Sequence, residues 1–152
     1  MTLGATEFEA LITDTSKRID GDIAWSEDQD HSPAVEFRIE VASATGWPLF
    51  VNGSWNRLAG KLTYAMILQT VGRIYALDMG ADHHNPSCTY TGEVHKHRWT
   101  ELFRDKDAYV PEDITAPVAE PVEVWRQFCR EAAIVHTGTL SPPPPAQEEF
   151  PV

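Results

Sequence analysis

The sequence predicts an α+β domain, a mainly antiparallel β-sheet with an N-terminal and a C-terminal flanking helix. Two observations carry this. Apolar residues recur at helical spacing near the start of the chain and again after Glu120. Between those segments the period drops to two, the mark of half-buried strands. A length of 152 residues with 42% hydrophobic content suits one domain with a real core.

Thr6 and Glu9 form a capping-box pattern. Phe8, Leu11, Ile12 and Ile19 fall near one helical face, and Gly21 closes the segment, so the first helix is expected over Thr6–Ile19. In AVEFRIEVAS, Val35, Phe37, Ile39 and Val41 alternate with Glu36, Arg38 and Glu40, a strand with one solvent face. WPLFVNGSWN is the second strand candidate, and Asn52-Gly53 within it is a strong turn signal. KLTYAMILQTVGRIYALDM reads as two strands or one long bent strand, with Gly72 as bulge or turn; a buried helix over Leu58–Gln69 is the rival reading. A polar loop from Gly80 to Gly92 leads to a strand from Glu93 to about Phe103, and Ala108-Tyr109-Val110 supplies a short last strand. Pro121 suits a first helical turn, Glu120 and Glu123 favour the positive helix start, and Val122, Trp125, Cys129 and Ala132 share a face. Residues 1–136 are thus expected to form the globular domain, and residues 137–152, with four consecutive prolines, a Pro-rich flexible tail.

The segment HHNPSCTYTGEVHKHRWTE holds four of the six histidines. On a strand, residues two apart share a face. Glu93, His95, His97, Trp99 and Glu101 therefore line one side of the expected strand, and Val94, Lys96, Arg98 and Thr100 the other. Two imidazoles about 6–7 Å apart at the backbone can chelate one ion, with Cys88 or His83 returning on the loop as a third ligand. A divalent metal such as zinc is the cofactor this would imply. The same face could instead work as a general base, with His95, His97 and Glu101 as catalytic residues. The plain reading is a polar, partly exposed strand face whose Trp99 covers the core. The segment has no paired C-x-x-C elements, and the chain carries no Walker loop, dinucleotide glycine fingerprint, G-x-S-x-G elbow or H-E-x-x-H.

A net charge of −11 disfavours broad nucleic-acid binding and suits a basic protein partner or a cationic ligand. The two cysteines make no disulfide framework, the first ten residues lack a secretory pattern, and no apolar run approaches the ~20 residues that span a bilayer. The expected setting is cytoplasmic, without membrane association.

The order His83-His84-Asn85-Pro86, His95-Lys96-His97 and Asp105-Lys106-Asp107-Ala108-Tyr109 resembles an uncharacterised family of small bacterial and phage proteins, a domain of unknown function. The similarity runs from about Phe8 to Ile134. It implies a bacterial or phage setting and brings no reaction. Two functions are expected from the whole reading. One is a non-enzymatic protein-binding factor (an inhibitor, antitoxin-like or immunity-like), with Trp25, Trp47 and Trp55 as interface anchors. The other is a small His-dependent hydrolase or nuclease-like enzyme using His95, His97 and Glu101, with or without a metal. Against phosphodiester chemistry on the strand alone, the parity of Lys96 and Arg98 puts them opposite the histidines.

Overall fold

The computed structural model describes residues 3–28, 30, 33–80 and 92–143. The elements are α1 (Ala5–Ile12), β1 (Arg18–Ile19), β2 (Ser26–Glu27), β3 (Val35–Val41), β4 (Leu49–Asn56), β5 (Lys61–Leu68), β6 (Gly72–Met79), β7 (Val94–Arg98), β8 (Ala108–Tyr109), α2 (Pro121–Glu131) and β9 (Val135–His136). Strands β2 to β8 form one sheet in sequence order, every neighbouring pair antiparallel. The α+β expectation holds, with one helix at each end of the chain flanking a seven-stranded sheet. Strands β1 and β9 pair separately, in parallel.

One face of the sheet carries the core. Leu62, Tyr64, Met66 and Leu68 on β5 and Phe37 on β3 meet Val124, Trp125 and Phe128 of α2. The Trp125 ring packs on Phe37 at 5.6 Å and on Tyr64 at 5.1 Å between centroids, both edge-to-face, the geometry aromatic quadrupoles favour. The Tyr64 hydroxyl donates to the Pro121 carbonyl at 2.6 Å, fastening the start of α2 to β5.

Several sequence expectations are corrected. Asn52-Gly53 lies in the middle of β4, not in a turn: Gly53 pairs with Phe37 on one side and Tyr64 on the other. A Cβ at Gly53 would penetrate the Phe37 ring, so this glycine serves close packing across the strand. Gly53→Ala is expected to destabilise the fold by about 1–3 kcal/mol through overpacking. A urea midpoint equal to that of the wild type would refute this. The rival helix over Leu58–Gln69 is absent; β5 and β6 are two strands turning through Gln69–Val71. A β-bulge between them pairs Met66 with Tyr75 and Ile67 with Arg73, leaving Ile74 as the extra residue.

The first helix ends at Ile12, well before Ile19. Its N-cap is Gly4, whose N–H is met by the Glu7 carboxylate at 3.3 Å, so the Thr6–Glu9 box is not the one used. The Lys17 ammonium then folds back on the helix end, donating to the carbonyls of Leu11 (2.5 Å), Ile12 (3.1 Å) and Asp14 (2.8 Å). Those are the acceptors a helix C-terminus leaves unsatisfied.

Asp14 fixes the following turn. Its carboxylate accepts from the Ser16 N–H and hydroxyl at 2.9 and 2.7 Å, from Thr45 at 2.7 Å and from the Trp47 indole at 3.2 Å. These donors, Ser16 foremost, hold the carboxyl below its usual range near 3.8. A folded-state value below the unfolded one adds stability that is present above the unfolded value and lost as pH falls towards the folded one. Asp14→Asn should therefore lower stability more at about pH 7 than at about pH 2.5. Urea unfolding at both pH values checks this; an unchanged difference would contradict it.

The chain also stays on the body past His136. Leu140 is buried and bridges Ile23 in parallel, and the Trp25 indole donates to the Ser141 carbonyl at 3.1 Å. Gly138 permits this approach, because a Cβ there would strike the Gly21 carbonyl. The expected tail boundary at 137 thus falls inside a packed segment, and residues 144–152 lie outside the described residues.

Candidate metal centre

The second face of the sheet holds an ionisable cluster built by register. Strands β6 and β7 pair Asp78 with His95 and Ala76 with His97; β5 and β6 pair Thr63 with Asp78 and Ala65 with Ala76; β7 and β8 pair His97 with Ala108. Residues directly opposite share a face. His97 therefore sits in a row with Ala65, Ala76 and Ala108, whose short side chains leave room for the rings. His95 and His97 are both 2% exposed. The partly exposed strand face expected from the sequence is instead buried.

The imidazole Nε2 atoms converge on a single oxygen. Asp78 Oδ2 lies 3.4 Å from His95 Nε2 and 3.0 Å from His97 Nε2. One ligand atom from each of the three residues lies within 4.8 Å of the other two. The Thr63 hydroxyl donates to the other Asp78 oxygen at 2.8 Å. The far ring nitrogens face backbone carbonyls: His95 Nδ1 is 3.1 Å from the Gly92 oxygen, and His97 Nδ1 is 2.8 Å from the Asp105 oxygen.

These contacts fix proton positions. A carbonyl only accepts, so each Nδ1 must carry the hydrogen. In the neutral tautomer each Nε2 then presents a lone pair to the Asp78 carboxylate, which is also an acceptor. Two lone pairs aimed at one anionic oxygen are favoured by a positive charge among them, such as protons on the rings or a metal ion. Backbone carbonyls on Nδ1 are the outer partners that metal-bound histidines characteristically have. Burial pushes the Asp78 carboxyl up; with hydrogens on the facing Nε2 atoms, bonds from His95 and His97 together with Thr63 outweigh it and hold the group well below the usual carboxylate range.

Arg73 stands at the rim. Strand alternation alone would put it opposite Asp78, but the bulge at Ile74 reverses its direction, an effect typical of bulges. Its Nη1 lies 3.8 Å from Asp78 Oδ2, and its Nε donates to Asp105 Oδ2 at 2.6 Å. Asp105 thus steadies His97 with its carbonyl and Arg73 with its carboxylate.

His95 and His97 are brought together; Glu101 is not brought to them. Strand β7 ends at Arg98 rather than near Phe103, because Thr100 and Arg104 bond to each other across a tight turn. Glu101, in that turn, instead accepts from the Ala5 N–H at the start of α1 at 2.6 Å. His83 and Cys88 lie outside the described residues. Sequence reasoning missed Asp78 and Arg73. The signal for Asp78 was faint: a lone carboxylate between Leu77 and Met79 at the end of a largely apolar strand.

The opposite side of β7 is a separate polar network. Lys96 is fully buried; its ammonium donates to Asp113 at 2.6 Å and to Glu131 at 3.1 Å. The Tyr109 hydroxyl donates to the same Glu131 oxygen at 2.7 Å, as does Tyr75. Lys96 therefore points away from the histidines, as its parity required. Trp25 and Trp55 are buried, and Trp47 is partly so.

Fold and cluster define an α+β protein with a buried site of two histidines and one carboxylate. A family model matches residues 3–134, and the chain belongs to that family, DUF6978, a family of unknown function. No curated protein and no solved structure matches the chain. Among the described residues, no helix is long and apolar enough to cross a membrane.

Proposed function

We propose that this protein binds a divalent transition metal through Asp78, His95 and His97 and uses it in hydrolytic chemistry. The observation that carries the reading is the convergence of two Nδ1-anchored imidazoles on one carboxylate oxygen, at 3.0 and 3.4 Å. Metal bonds of about 2.0–2.2 Å at tetrahedral angles put neighbouring ligand atoms at about that separation. Three protein ligands among the described residues match the ligand number of catalytic zinc sites rather than the four of structural ones. A metal there would lower the pKa of a bound water towards neutrality. The chain's own part is to fix the rings through Gly92 and Asp105, hold the carboxylate through Thr63, and keep the site buried.

A non-enzymatic protein-binding factor is the alternative reading. Its anchors were to be tryptophans, but Trp25 and Trp55 are spent on the core, and the Trp47 indole is bonded to Asp14. That leaves it less ground than the histidine cluster supplies.

Metal content of the purified chain tests the proposal. Stoichiometric zinc, iron, manganese or cobalt is expected in the wild type, and loss of it in His95→Ala and His97→Ala. No uptake of any of these ions by a folded wild-type chain would end the reading.

A further inference from the structure

We propose that Arg73 makes the metal-loaded site a receptor for an oxyanion, with phosphate or carboxylate as the ligand group. The inference rests on the metal reading above and adds the class of ligand. Three features of Arg73 carry it. The bulge at Ile74 turns its side chain onto the face of the cluster, with Nη1 3.8 Å from the Asp78 oxygen that both histidines approach. Asp105 takes only its Nε. The four Nη hydrogens make no hydrogen bond with the described residues, and the side chain is 34% exposed, so solvent reaches it. A guanidinium held by one edge, with its other donors open beside a metal position, suits an oxygen pair that bridges arginine and metal.

Charge makes that binding conditional. Without metal, Asp78 and Asp105 both face the Arg73 guanidinium, so among these described residues an approaching anion meets a net negative rim. A divalent ion between Asp78 and the histidines reverses the sign. Oxyanion binding should therefore appear only on loading. Lys96 and Arg98 cannot substitute: Lys96 is buried against Asp113 and Glu131, and Arg98 pairs with Glu9 at 2.6 Å.

The experiment uses the full chain loaded with manganese(II), whose paramagnetism broadens the resonances of nearby ligands. Metal uptake is measured separately by equilibrium dialysis for wild type, Arg73→Met and Arg73→Lys. Inorganic phosphate is then titrated and followed by its phosphorus resonance, and acetate by its proton resonance. Expected is broadening with the loaded wild type and none beyond the buffer control with metal-free chain. Arg73→Met should keep its metal and lose about ten- to a hundredfold in oxyanion affinity, the scale of a hydrogen bond to a charged group; Arg73→Lys should recover part. Phosphate binding without acetate binding assigns a phosphate ligand, and the reverse a carboxylate. A loaded chain that binds neither, or an Arg73→Met that binds as well as wild type, overturns the inference and leaves the metal reading standing. Loss of metal in Arg73→Met also overturns it, making Arg73 a support for Asp105 instead. A wild type that takes up no metal overturns both.

Discussion

Lys96→Met should lower the unfolding free energy by about 3 kcal/mol, the low end of what breaking a buried ion pair costs. The low end applies because the carboxylate partners, Asp113 and Glu131, each keep 31% of their side-chain surface exposed. Lys96 itself has none. Burial pushes the Glu131 carboxyl up, and hydrogen bonds from Tyr75, Tyr109 and Lys96 pull it below its ordinary value. Remove the ammonium and the two tyrosine hydroxyls still bond to Glu131, but the negative charge is no longer compensated. The methionine stem fills the apolar part of the space, so the loss isolates the charge rather than the packing. For a chain of this size about 3 kcal/mol lowers Tm by roughly 6–12 °C. Urea unfolding should show a lower midpoint at unchanged slope. Adding Glu131→Gln to Lys96→Met should restore part of the loss, a coupling that a double-mutant cycle reads directly. A single-variant loss under about 1 kcal/mol would mean that Lys96 behaves as a solvated surface lysine, contrary to its burial.

Lys96 also marks where the sequence stopped being legible. Alternation placed it on the face opposite His95 and His97, and it is there. What alternation cannot tell is whether a face is wet. His95, Lys96 and His97 are three consecutive buried residues, because β7 is an interior strand with α2 over one side. A charged, polar run such as HKHR gives no sign of that. The last helix and strands β3, β5 and β6 were readable because their apolar spacing is local. The NG dipeptide misled because its glycine answers a distant demand, the Phe37 ring, not a local turn. Asp78 was hidden for a similar reason. It faces His95 only through the β6–β7 register, and two strands separated by residues 80–93 of the chain do not announce their register. Arg73 was further concealed by a bulge, which inverts the parity on which every face assignment rests.

The second large effect expected is a metal-dependent gain in stability. An ion that binds only the native state raises the unfolding free energy by about 4 kcal/mol at a thousandfold excess over its dissociation constant. In this chain that corresponds to a rise in Tm of roughly 8–16 °C, reversed by a chelator. The informative variant is Asp78→Asn, because alanine at His95 or His97 would leave a hole in a buried face. Asparagine keeps an oxygen to accept from Thr63. It also presents an amide N–H pair to the two Nε2 lone pairs, replacing the acceptor that now faces them. Metal-free Asp78→Asn should therefore fold as stably as metal-free wild type or more so, while its response to zinc or cobalt(II) should fall by at least about a hundredfold in concentration, the loss of one anionic ligand being worth several kcal/mol. Protons on the rings would give the opposite pattern. If the Nε2 atoms carry hydrogens that Asp78 accepts, the substituted amide places N–H against N–H. The metal-free variant would then be strongly destabilised, and wild type would show no metal response at all. Thermal scans of the two proteins, with and without metal, separate the two origins of the positive charge beside Asp78.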